Sequence, residues 1–98
     1  MLIQHKQSDT KGVFFVPGEE DDQAYLAELI YMKTADGNII VEHTEVADEL
    51  QGQNVGYQLV NSVVEYARTH GIKITPMCSF TKSVIDKKPE FRDVLAAG

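Results

Sequence analysis

The 98 residues carry nine Lys and Arg against fifteen Asp and Glu, a net charge of −6, and 43% of them are hydrophobic. A chain of this length builds one core and no second one, and it holds no apolar run long enough to span a bilayer and no basic-then-apolar leader, so residues 1–98 read as a single cytoplasmic domain. One cysteine excludes an internal disulfide, His5, His43 and His70 show no ligand spacing with it, and no basic stripe offers phosphate neutralisation; neither metal nor nucleic acid is expected.

Residues "LIQHKQ" and "GVFFVPG" predict two short strands around the polar turn "SDTK", the second rich in β-branched and aromatic residues and ending at Pro17-Gly18. The acidic cluster Glu19, Glu20, Asp21 and Asp22 reads as a solvated loop. Next, "QAYLAELIYMK" and "NIIVEHTEV" flank "TADG", where Asp36-Gly37 supplies residue types that tolerate positive φ, the strongest hairpin signal in the chain. Both strands are apolar on more than one phase (Leu26, Leu29, Ile30, Ile39, Ile40, Val41), which predicts central strands covered on both faces. Tyr25 and Tyr31 are most simply strand packing.

From Val55 the period changes to that of a helix. Val55, Leu59, Val63 and Ala67, widened by Val60 and Val64, form one apolar face, with Gln58, Asn61, Glu65 and Arg68 elsewhere, and His70-Gly71 gives the stop signal. "IKITPMC" is then a short strand, parallel to the one holding His43 because a helix separates them, with a right-handed crossover. "SFTKSVIDKKPEFRDVL" predicts a helix from about Ser79, interrupted near Pro89, then a turn burying Phe91, Val94 and Leu95.

Charge is divided unevenly over these elements. Residues 1–49 carry three cations and eleven anions, a net −8, while residues 50–98 carry six and four, a net +2. The second half is the better host for an anion, and Lys82, Lys87, Lys88 and Arg92 lie in it. There, Gly52 and Gly56 flank a turn from a strand end into the helix beginning near Val55. Unpaired N–H groups and the helix dipole make such a turn an anion cradle, glycine allows close approach, and Asn54 is among the few other residues that accept a left-handed conformation. On spacing alone, a tight connection with two steric glycines explains the turn equally well.

The string "LQGQNVGYQLV" resembles the pyrophosphate loop of the GNAT acetyltransferase superfamily, Gln/Arg-x-x-Gly-x-Gly/Ala at the opening of a helix. Gln51 matches the first position and Gly56 the last, and Asn54 stands where the inner glycine usually is. With "HTEV" before the loop and "PMCSF" after the next strand, residues 23–95 are similar to a short GNAT-like subfamily with one cysteine. The resemblance implies an α/β (α+β) minimal GNAT-like fold: an antiparallel meander, a splayed parallel strand pair with a crossover helix, and a C-terminal helix. Acetyl-CoA would be wedged into the splay. Backbone groups of Glu45 and Val46 would serve the pantetheine arm, and the loop Gln51, Gly52, Gln53, Asn54, Val55, Gly56 and Tyr57 would surround the diphosphate. One or more of the four C-terminal cations would meet the adenosine phosphates.

The departures are specific. About ten residues separate the early strands, so the two helices that shape the acceptor site in a typical member are missing. The tyrosine that many members place after the second splayed strand is also missing; the last tyrosine is Tyr66, and Cys78 occupies that neighbourhood. A free cysteine is commonly a small buried hydrophobe, but at a strand end before a helix start the dipole lowers the thiol pKa from about 8.5, which suits a transient acyl acceptor or an acid for the departing CoA. His43 is either structural or the base that takes its proton, and Thr44 is a hydrogen-bond donor. The expected function is acetyl transfer from acetyl-CoA to an amine or thiol. A non-catalytic CoA-binding sensor or carrier is the alternative, and a subunit completed by a partner surface is the third reading. The sequence specifies neither the acceptor nor the oligomeric state.

Overall fold

Alternating hydrophobicity in the first half produces four strands: β1 Gln4–Gln7, β2 Lys11–Val16, β3 Ala27–Lys33 and β4 Ile39–Val46. The computed structural model describes residues 2–18 and 24–96, so the acidic cluster Glu19–Asp22 lies outside the described residues. The four strands form an antiparallel meander, and β5, Ile74–Pro76, joins β4 in parallel to give the order β1-β2-β3-β4-β5. The expected hairpin closes through Thr34–Asn38, where the Gly37 N–H donates to Thr34 O at 3.1 Å and the Asp36 carboxylate accepts from the Thr34 hydroxyl and the Asn38 N–H.

A break in the β3–β4 register positions the site. Ile30 opposes His43 while Tyr31 opposes Val41, so Glu42 is an extra residue, a β-bulge. The bulge reverses the phase of β4. Before it, Ile39 and Val41 are buried; after it, Val46 packs on the core, and His43 and Glu45 turn outward with side chains 52% and 72% exposed.

Helix α1, Val55–His70, buries the face the sequence predicts: Val55, Leu59, Val60, Val63, Val64 and Ala67. Gly71, at φ 66°, ends it. Helix α2, Ser79–Lys87, and a 3-10 turn, Pro89–Val94, contribute Ile85, Phe91 and Val94 to the same core, which Phe14, Leu29 and Tyr31 complete from the sheet. Arg68 ties the final turn to α1 by pairing with Asp93 at 2.7 Å and Glu65 at 2.8 Å. At the far edge, the buried Tyr31 hydroxyl meets His5 Nε2 at 2.7 Å, and the His5 ring stacks on Phe14 at 4.1 Å.

The expected cover on both sheet faces is corrected by the structure. Val13, Ile30, Met32 and Ile40 alternate with the buried strand residues, remain only half-buried, and belong to no part of the core that the helices complete. On that face Phe15 is shielded by Tyr25, stacked at 4.1 Å, with Lys6 Nζ 5.2 Å above the Phe15 ring. Apolar residues on two phases of β3 and β4 therefore reflect cover by neighbouring side chains, not by a second helical layer. Among the described residues no helix is long and apolar enough to cross a membrane.

Candidate functional site

The parallel pair β4–β5 lasts three residues, Ile39↔Ile74, Ile40↔Thr75 and Val41↔Pro76. The Met77 and Cys78 N–H groups then both donate to Val41 O at 3.0 Å, and no further rung follows. On its other edge β4 continues to Ala27↔Val46, where the Ala47 N–H donates to Leu26 O at 2.8 Å. In an antiparallel ladder this places the backbone groups of Glu45 toward β3 and those of Val46 toward the open side. The expected pair is thus divided: Val46 can serve a ligand in the splay, whereas Glu45 spends its backbone on the sheet. Val46 O is met at 3.1 Å by Gln51 Nε2, which ties the following turn to the strand end.

That turn uses the conformations its residue types allow. Gly52 has φ 83° and Asn54 φ 62°, the latter being the one non-glycine residue of positive φ among the described residues. The Gln51 and Gln53 N–H groups are spent on Asp48 O and Leu50 O, and the Gln58 N–H starts the helical ladder on Asn54 O. Among the described residues nothing accepts from the amides of Gly52, Asn54, Val55, Gly56 or Tyr57. These donors, with the positive end of a 16-residue helix behind them, suit an anion that approaches the backbone directly. They line a cavity of about 670 Å³ whose other walls include Thr44 and Val46 from β4, Phe80 and Val84 from α2, and Lys87 and Lys88 at the end of α2. Of the four expected cations, Lys87 and Lys88 line this cavity and Lys88 Nζ lies 5.2 Å over the Tyr57 ring; Arg92 bonds to Asp86 O, and Lys82 is exposed outside the cavity lining.

Cys78 is the last extended residue before α2, with its thiol 3.5 Å from Thr44 Oγ1. Thr44 Oγ1 in turn lies 3.3 Å from Thr81 Oγ1, and Thr81 is fully buried. Burial pushes the thiol pKa up, but the Thr44 hydroxyl, the Thr81 amide and hydroxyl and the Phe80 amide stabilise the thiolate more, so the pKa falls below the ordinary cysteine value. Sequence reasoning missed Thr81; its signal was the spacing of three residues from Cys78, which sets its amide at the third position of α2.

The structure joins Cys78 to Thr44 and does not join Cys78 to His43. The bulge at Glu42 leaves Thr44 on the cavity side and turns His43 to the uncovered face, where its Nε2 lies 3.2 Å from Glu45 Oε2. Gly56 has a second neighbour besides the cradle. Its backbone is ordinary helix, and a Cβ there would stand 2.6 Å from Phe80 Cζ, so glycine at this position also makes room for an aromatic ring. Among the described residues no group of three His, Cys, Asp or Glu is placed to hold a metal ion.

Known proteins supply the context for this geometry. A model of the GCN5-related N-acetyltransferase family matches residues 14–94. A GCN5-like protein from Staphylococcus aureus, solved in solution and named as a candidate N-acetyltransferase, is 38% identical over 97% of this chain and 89% of its own, with a TM-score of 0.68. A ribosomal-protein-alanine N-acetyltransferase from Brucella melitensis biovar Abortus shares the fold at 13% identity and a TM-score of 0.57, over 93% of this chain and 65% of its own. A Bacillus halodurans protein does so at 9% identity and a TM-score of 0.52, over 93% and 63%. No curated protein sequence matches significantly. The mixed sheet with its parallel pair is therefore the fold that the sequence resemblance implies.

Proposed function

The chain belongs to the GCN5-related N-acetyltransferase family, and on that premise we propose that it transfers an acetyl group from acetyl-CoA to an amine or thiol acceptor. The observation that carries this reading is the meeting, at one splay, of five unspent amides along one cavity with Thr44, a wall of that cavity whose hydroxyl lies 3.5 Å from a thiol of lowered pKa. The amides at the head of α1 would hold the diphosphate, Lys87 and Lys88 the adenosine phosphates, and the Val46 backbone the pantetheine arm. This chain of contacts leads the thioester toward Thr44 and Cys78.

The Cys78 thiolate then attacks the thioester carbonyl, a new C–S bond forms, and CoA leaves as a thiolate. The acceptor attacks the acetylated Cys78 from the uncovered face and restores the thiolate, while His43, held by Glu45, takes the acceptor's proton. Thr44 positions the sulfur and donates to it when it is charged. This arrangement is supported by residues 43 and 44 pointing to opposite faces of one strand at the splay.

Cys78→Ser tests the scheme by measuring acetyl transfer and acetyl-CoA binding together. The expected result is binding retained, transfer abolished, and an acetyl group recovered on Cys78 of the parent protein by mass spectrometry. A partial loss of transfer would instead assign Cys78 as the acid that protonates departing CoA, and unchanged transfer in Cys78→Ser and Cys78→Ala would make it a packing residue. The second reading, a non-catalytic CoA-binding module, is favoured by the uncovered sheet face beside the splay. Slow release of CoA without an acetylated product across a panel of amines and thiols would support that reading.

A further inference from the structure

Gly56 sits in the first turn of α1 with helical geometry, where glycine is less stable than alanine, and a contact that a methyl group would spoil offsets that cost. That contact is Phe80. A Cβ on residue 56 would lie 2.6 Å from Cζ and 2.9 Å from Cε2 of the ring. Cα–Cβ bonds tilt toward a helix N-terminus, so the ring stands beside the mouth of the amide cradle. The backbone that carries it is anchored: the Cys78 N–H donates to Val41 O at 3.0 Å, and Thr81 is buried against Thr44. Phe80 nevertheless remains 42% exposed, and it faces the cavity that holds Thr44, Val46 and Val84. A large apolar ring half in solvent, between a fixed helix end and an anion cradle, makes a wall for an extended ligand.

We infer that Phe80 sets the width of the acetyl-CoA channel between α1 and α2, and that residue 56 is glycine to give this ring its place; the inference rests on the splay being the acetyl-CoA site. Only the far end of the ring meets residue 56. A methyl group there displaces the ring into the channel and leaves α1 folded. Phe80 is thus a positioning residue for the thioester arm, and the Gly56–Phe80 pair acts as one unit.

A double-mutant cycle tests this with Gly56→Ala, Phe80→Leu and the double variant, reading acetyl-CoA affinity by calorimetry and melting temperature without ligand. Gly56→Ala is expected to weaken affinity about tenfold or more, the scale of an overpacking penalty. In the Phe80→Leu background the same change is expected to cost less than about threefold, since the shorter side chain leaves room. The melting temperatures report separately on contact in the free protein. Equal affinity losses in both backgrounds would overturn the inference, even if melting temperatures coupled, because the pair would then be structural only. An unmodified protein that fails to bind acetyl-CoA would overturn the proposed function itself, an outcome distinct from additive losses in a protein that binds.

Discussion

Strand β4 has two edges with different fates. Toward β3 it pairs along its length, from Lys33↔Ile39 to Ala27↔Val46, with a single bulge; toward β5 it pairs over three residues and stops at Val41↔Pro76. The first edge supports the core and the second opens the site. Backbone groups left over at an ordinary sheet edge are a liability, but here they are confined to a cleft. Gln51 caps Val46 O, and the next unspent donors are the amides at the head of α1. The difference teaches that one strand can support the core along one edge and leave the other edge open for the proposed ligand.

The largest effect that would sharpen this contrast is Leu29→Ala. Leu29 is fully buried on the paired side, so its truncation should cost about 2–5 kcal/mol in denaturant unfolding. The affinity of the remaining folded protein for acetyl-CoA should be unchanged; a parallel loss in affinity would break the separation. Next is Asn54→Ile, which forces a β-branched residue to a φ of 62°. The strain is about 1–2 kcal/mol, and because it reshapes the cradle, affinity should fall by more than stability does. Equal losses would make the turn a connection only.

The smallest effect is one of pH and belongs to the β1 edge. Burial, then the charges of Lys33 and His70, hold the His5 pKa below the ordinary imidazole value. The unfolded chain therefore binds the proton more readily than the folded one. The His5 contribution to stability is complete above the unfolded value and is lost as pH falls through the folded one. His5→Gln should flatten the fall in melting temperature over this acidic range. Acetyl-CoA affinity should show no such dependence on residue 5, and a matching change in affinity would couple two regions that the contrast keeps apart.

Much of this division was legible in the sequence. Asp36-Gly37 gave the hairpin, the spacing of Val55, Leu59, Val63 and Ala67 gave α1 and its buried face, and Asn54 was expected at positive φ, as found. A helix between β4 and β5 implied their parallel pairing, which follows from chain geometry alone. What escaped was long-range. The bulge at Glu42 has no local residue signature, yet one extra residue decides that Thr44 faces Cys78 and His43 does not. The Phe80 ring beside Gly56 comes 24 positions later in the chain, and close approach to a phosphate and close approach to a phenyl ring demand the same missing Cβ. The two-phase apolar pattern of β3 and β4 overstated their cover because period alone does not distinguish a helix overhead from long neighbouring side chains.

Amide-resolved NMR during titration with CoA tests the central claim most directly, since the claim assigns ligand contact to one edge of β4 and none to the far side of the sheet. The expected result is a set of saturable shifts concentrated at Gly52, Asn54, Val55, Gly56 and Tyr57, extending to Val46 and Cys78. The β1–β2 hairpin, including His5 and Val13, should stay unperturbed. Shifts concentrated at that hairpin, or no shifts at the head of α1 at millimolar CoA, would contradict the account.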